Sequence, residues 1–125
     1  MSGDETLRGR RVMVVEDETM IAMLVEDMLR DLGCAVVGPA HGVEGAMALA
    51  DSGQAIDAAL LDVNLSGQSV FPVADALRAR GVPMIFSTGY GDGGLRHIDA
   101  DAPVLQKPFR ASDLARALGE ALKAG

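Results

Sequence analysis

Val12-Met13-Val14-Val15-Glu16-Asp17-Glu18 passes from four apolar residues straight into three acids. A short run with no polar residue interleaved reads as a strand buried on both faces, and the acids mark where it leaves the core. The next stretch of chain keeps a different period. Ile21, Leu24, Val25, Met28, Leu29 and Leu32 recur at helical spacing, with Glu26, Asp27, Arg30 and Asp31 between them, and Gly33 stands where a C-terminal cap belongs. The pair of signals repeats downstream. Apolar runs at Ala35 to Gly38, Ala58 to Leu61, Val82 to Phe86 and Val104 to Gln106 read as strands, the first stopped by Pro39 and the second ending at Asp62. Helical spacing returns at Val43 to Ala50, at Val70 to Arg80 and at Leu114 to Leu122. Between Asp92 and Asp101, Gly93 and Gly94 leave at best a short, weak helix. Val63 to Gly67 reads as a loop.

Five strand–helix pairs with continuously apolar strands specify an α/β fold, a doubly wound five-stranded parallel sheet with helices on both faces. With 125 residues the chain suits one domain. Residues 1–10 are expected to be a short N-terminal tail and residues 11–125 the domain. Lys+Arg 11 against Asp+Glu 18 leaves a net charge of −7, which disfavours binding a phosphate backbone, so no nucleic-acid partner is expected. Cys34 is the only cysteine, which excludes an internal disulfide and a cysteine-based zinc site, and its apolar neighbours mark it as a core residue. His41 and His97 read as surface histidines. The charged N-terminus is no signal peptide, and no stretch approaches the ~20 apolar residues of a membrane span. A soluble, cytoplasmic chain with no membrane partner is expected.

In an open α/β sheet, sites form beyond the carboxyl ends of the strands. Those ends deliver Glu16 and Asp17, then Asp62, then Thr88, then Lys107 followed by Pro108. Three crowded carboxylates repel one another, and a divalent cation removes that cost. The donors are all oxygen, which suits Mg²⁺ rather than zinc. An Asp beside such a metal, with a hydroxyl and an ammonium nearby, is equipped for phosphoryl transfer: the carboxylate is the nucleophile, and the cation, Lys107 and Thr88 neutralise charge on the phosphoryl oxygens.

At these residues the chain resembles the receiver domain of two-component response regulators. The matching pieces are Val14-Val15-Glu16-Asp17-Glu18, Leu60-Leu61-Asp62-Val63-Asn64-Leu65-Ser66-Gly67, Ser87-Thr88-Gly89 and Lys107-Pro108-Phe109, in the family's order and at its spacing from Arg11 to Lys123. The resemblance implies a flavodoxin-like fold of receiver type and a role for each residue. Asp62 would be the phosphoacceptor. Asp17 would bind Mg²⁺ directly, Glu16 directly or through water, and Asn64 through its main-chain carbonyl. Thr88 would bond the phosphoryl group and act as a switch, Lys107 would pair with that group, and the Lys107–Pro108 peptide would be cis. The donor would be a histidine kinase or a phosphotransfer protein, and the signal would pass to a downstream protein target. The chain would be no enzyme beyond its own phosphorylation and dephosphorylation, and a monomer or weak homodimer. Many receivers carry an aromatic switch three residues before the lysine, where this chain has Val104. Phe86-Ser87-Thr88-Gly89-Tyr90 is similar instead to a stand-alone subgroup with a Phe-Ala-Thr-Gly-Tyr motif, partnered with kinases of the HWE or HisKA2 kind. In that comparison Tyr90 replaces the missing aromatic.

Other readings compete. A haloacid-dehalogenase-type phosphatase wants a second Asp two residues after the nucleophile, and Asn64 stands there. A flavodoxin-like FMN carrier needs a phosphate loop after the first strand, where Glu16-Asp17-Glu18 would repel a phosphate. A degenerate receiver acting only as a protein-interaction module is opposed by Asp17, Asp62, Thr88 and Lys107 standing together. A receiver fragment of a longer regulator remains compatible with the sequence.

Overall fold

The computed structural model describes residues 6–89, 99 and 101–124. Five parallel strands, β1 (Arg11–Val15), β2 (Ala35–Ala40), β3 (Ala58–Asp62), β6 (Met84–Thr88) and β7 (Val104–Gln106), lie in the order β2-β1-β3-β6-β7. A two-stranded hairpin, β4 (Asn64–Leu65) and β5 (Gln68–Ser69), follows β3. The helices are α1 (Thr19–Asp31), α2 (Val43–Ala50), α3 (Phe71–Ala79) and α4 (Ala111–Ala124). Among the described residues no helix is long and apolar enough to cross a membrane. The weak helix expected over Asp92 to Asp101 falls almost wholly outside the described residues.

Alternate side chains of each strand enter opposite cores, which is why the strands carry no polar alternation. Met13, Val15, Ala59, Leu61, Met84 and Phe86 pack with α2 and α3 on one face. Val12, Val14, Ala58, Leu60, Ile85 and Leu105 pack with α1 and α4 on the other. α1 ends as its sequence indicates. Gly33 takes φ 90°, its N–H donates to the Arg30 carbonyl at 3.0 Å, and the Cys34 N–H reaches the Leu29 carbonyl at 2.9 Å. That is a Schellman cap, and it turns the chain directly into β2.

Three features depart from the sequence reading. Pro39 does not stop β2, which continues to Ala40. β2 is an edge strand, where a residue lacking an N–H is tolerated, and its register against β1 shifts between Met13 and Val15. Val63 to Gly67 is not plain loop but holds most of the β4–β5 hairpin. Packing also begins before Arg11: Leu7 is buried in the α1–α4 core and its carbonyl accepts from the Cys34 thiol at 3.3 Å. Cys34 is buried, as expected. At the other end of the sheet, the Asp99 carboxylate is fully buried and ion-paired with Arg78 of α3.

α4 presents Leu114, Leu118 and Ala121 to its core. Leu118→Ala, which keeps a good helix former, should cost about 2–5 kcal/mol of stability, whereas Met23→Ala on the exposed face of α1 should stay within about 0.5 kcal/mol. Urea unfolding of both variants checks this. A cost below about 1 kcal/mol at Leu118 would contradict the packing of α4.

Candidate functional site

Strand register brings the candidate residues together. Val15 pairs with Leu61, so Glu16 and Asp17 leave β1 beside the end of β3, where Asp62 stands. Asp62 pairs with Ser87, so Thr88 follows at the next position of β6. Thr88 pairs with Gln106, and Lys107 comes directly after. The main-chain carbonyl of Thr88 accepts from the Lys107 N–H at 2.8 Å, which ties the two backbones where they leave the sheet. The Lys107–Pro108 peptide is cis.

Single carboxylate oxygens of Glu16, Asp17 and Asp62 all lie within 4.8 Å of one another. Among the described residues the Lys107 ammonium faces them: Nζ donates to Glu16 Oε1 at 2.8 Å and to Asp62 Oδ2 at 3.1 Å. Glu16, Asp62 and Thr88 are 3%, 5% and 4% exposed. Three acids, two of them buried, against the Lys107 ammonium make an unbalanced charge set among the described residues. Burial pushes the Glu16 carboxyl up to about 7, even though Lys107 and the Glu18 N–H bond to it. Lys107 goes the other way: burial would lower it, but its hydrogen bonds to Glu16 and Asp62 hold it above its ordinary value. Asp17 is also raised by burial, and hydrogen bonds, led by the Ser66 hydroxyl, outweigh that and keep it below the usual carboxylate range.

These groups open onto a cleft of about 440 Å³ lined by Asp17, Asp62, Asn64, Ser66, Thr88 and Lys107, among others. Glu16 does not line it. The β4–β5 hairpin forms one wall. The Asn64 N–H donates to Asp62 Oδ1 at 3.2 Å, and its side-chain oxygen accepts from the Gly67 N–H at 2.8 Å. A hard, all-oxygen donor set with excess negative charge and open space beside it fits Mg²⁺, which keeps several waters and uses few protein ligands.

The structure thus brings together Glu16, Asp17, Asp62, Asn64, Thr88 and Lys107, all singled out from the sequence. Tyr90 lies outside the described residues. Val104 is exposed on β7 and does not line the cleft. Sequence reasoning missed the part played by Ser66, whose hydroxyl donates to Asp17 Oδ2 at 2.6 Å across 49 residues of chain. The only local sign was a Ser-Gly turn after the strand that ends in Asp62. His41 is exposed as expected, and its Nδ1 donates to the Glu16 carbonyl at 3.0 Å.

Comparisons with known proteins agree with this geometry. The solution structure of SdrG from Sphingomonas melonis Fr1 superposes with a TM-score of 0.82 at 45% identity, covering 91% of this chain and 97% of that one. The receiver domain of the sensor histidine kinase PA1611 from Pseudomonas aeruginosa PAO1, solved with a magnesium ion coordinated in its active-site cleft, matches at 28% identity and a TM-score of 0.77, over 92% of this chain and 98% of that one. The phyllosphere-induced regulator PhyR of Methylorubrum extorquens is 29% identical over 89% of this chain and 43% of its own length. The chain spans about half the length of the curated relatives it matches. The family model for the response regulator receiver domain matches residues 12–119. With its five-stranded parallel sheet and its acids gathered at the strand ends, this chain belongs to the response regulator receiver domains of two-component signalling.

Proposed function

We propose that this receiver accepts a phosphoryl group on Asp62 in a Mg²⁺-dependent step and passes the signal on through Thr88 and Lys107. The observation that carries this reading is the clustering of Asp62 with Asp17 and Glu16 beside the Lys107 ammonium, with Asp17, Asp62 and Lys107 lining an open cleft. The Asp62 carboxylate would attack the phosphorus of a phosphohistidine. A P–O bond forms, the P–N bond breaks, and the imidazole leaves as the donor's own side chain. Asp17, with Glu16 and the Asn64 carbonyl, would hold Mg²⁺, which supplies charge neutralisation for the transferring group. Lys107 would exchange its bond to Asp62 for one to the phosphoryl oxygens, and the Thr88 hydroxyl would donate to the same group. Because the Thr88 and Lys107 backbones are bonded to each other, movement of either side chain inward is transmitted to the segments that follow both.

The donor in this reading is a histidine kinase or phosphotransfer protein, and the exchange takes place in the cytoplasm, where ATP feeds the donor. The Phe86-Ser87-Thr88-Gly89-Tyr90 motif supports a kinase of the HWE or HisKA2 kind, with Tyr90 as part of the switch. The net charge of −7 supports a protein rather than a nucleic-acid target. The chain's own turnover would be limited to gaining and losing the phosphoryl group, which makes it a phosphoprotein switch rather than an enzyme with a separate substrate.

Incubation with Mg²⁺ and a small acyl phosphate should add one phosphoryl group, read by intact mass and mapped to Asp62, and Asp62→Asn should abolish it. Label that persists in that variant and maps to Ser66 or Thr88 would contradict the assignment. Mg²⁺ affinity separates the ligands. Asp17→Asn should weaken binding by more than the ~10–100-fold typical of an outer partner. Asn64→Ala should change it little, since the main-chain oxygen is the ligand. Calorimetric titration measures both, and equal losses would count against the ligand set.

A further inference from the structure

Resting on the reading of this site as a Mg²⁺-dependent phosphoacceptor, we infer that Ser66 is a positioning residue for the metal ligand Asp17, fixing one carboxylate oxygen so that the other faces the cation.

Ser66 and Gly67 are the two turn residues between β4 and β5, with φ 54° and 86°. Two successive residues of positive φ joining two strands form a turn that favours Asn-Gly or Gly-Gly. Ser66 is the only non-glycine with positive φ among the described residues. Turn chemistry alone therefore does not account for a serine here. Its side chain does have a long-range partner: the hydroxyl donates to Asp17 Oδ2 at 2.6 Å, the length of a strong charge-assisted bond. A carboxylate has two oxygens, and engaging Oδ2 leaves Oδ1 for a metal ion. The same bond straps the hairpin that carries Asn64 to the loop that carries Asp17. Two ligands from distant parts of the chain are thereby held in register before a cation arrives. Ser66 is exposed and lines the cleft, so its hydroxyl is not needed to fill a core.

Two variants that both remove the hydroxyl separate this role from a purely structural one. Ser66→Gly relieves the left-handed backbone, and Ser66→Ala keeps it. Both should weaken Mg²⁺ binding on the order of 10-fold, the usual consequence of losing a bond to a metal ligand. Stability in EDTA should diverge, with the urea midpoint of Ser66→Gly equal to or above wild type and that of Ser66→Ala below it. Phosphorylation by an acyl phosphate should need more Mg²⁺ for its half-maximal rate in both variants, with the rate at saturating Mg²⁺ unchanged. Affinity that follows stability instead, normal in Ser66→Gly and weak in Ser66→Ala, overturns the inference, as does wild-type affinity in both. Failure of the wild-type chain to bind Mg²⁺ would instead remove the reading of the site itself.

Discussion

The Lys107 ammonium, bonded to both Glu16 and Asp62, is the contact on which the rest of the site depends. It is set against three carboxylates whose oxygens gather within 4.8 Å, and among the described residues it is the cation paired with them. A single ammonium cannot balance three acids, so the site retains negative charge that a divalent cation can neutralise. The Glu16 carboxyl is raised chiefly by its burial, which outweighs the pull of Lys107, and the neighbouring Asp62 charge adds to the rise. The sheet holds the imbalance in place. Glu16, Asp62 and Lys107 stand at the ends of β1, β3 and β7, three strands fixed by parallel hydrogen bonding and packed from both faces. The groups cannot drift apart without disturbing the core.

The same framework connects the cleft to the surface. Thr88 and Lys107 are neighbours through their backbones as well as through the cleft they line. In the proposed function, a group bound at Asp62 would engage both side chains at once. The wall opposite is built differently. The β4–β5 hairpin is short and exposed at its turn, and it is held by Leu65 in the core and by Ser66 on Asp17. One side of the cleft thus belongs to the rigid sheet, and the other to a small strapped hairpin.

Much of this was legible in the sequence. Strands buried on both faces have to be continuous apolar runs, so the polar residues at which those runs end stood out, and Glu16, Asp62, Thr88 and Lys107 among them converge. What escaped has physical reasons. Pro39 reads as a strand terminator because it lacks an N–H, yet at a sheet edge that donor is not required. The hairpin has two-residue strands, too short to establish any periodicity. Leu7 is one apolar residue among charges, and only the fold shows that it fills a gap beside Cys34. Ser66 looked like a turn residue because its partner is 49 positions away, a distance no local pattern reports.

The charge imbalance itself is tested most directly by urea unfolding of the wild type and of Asp62→Asn, each with and without Mg²⁺. The wild type should gain stability with Mg²⁺, by about 2.7 kcal/mol at roughly 100 times the dissociation constant. Asp62→Asn, with one repelling charge removed, should be more stable than wild type in EDTA and gain less from the metal. A wild-type midpoint indifferent to Mg²⁺, together with an Asp62→Asn variant no more stable than wild type, would contradict the account.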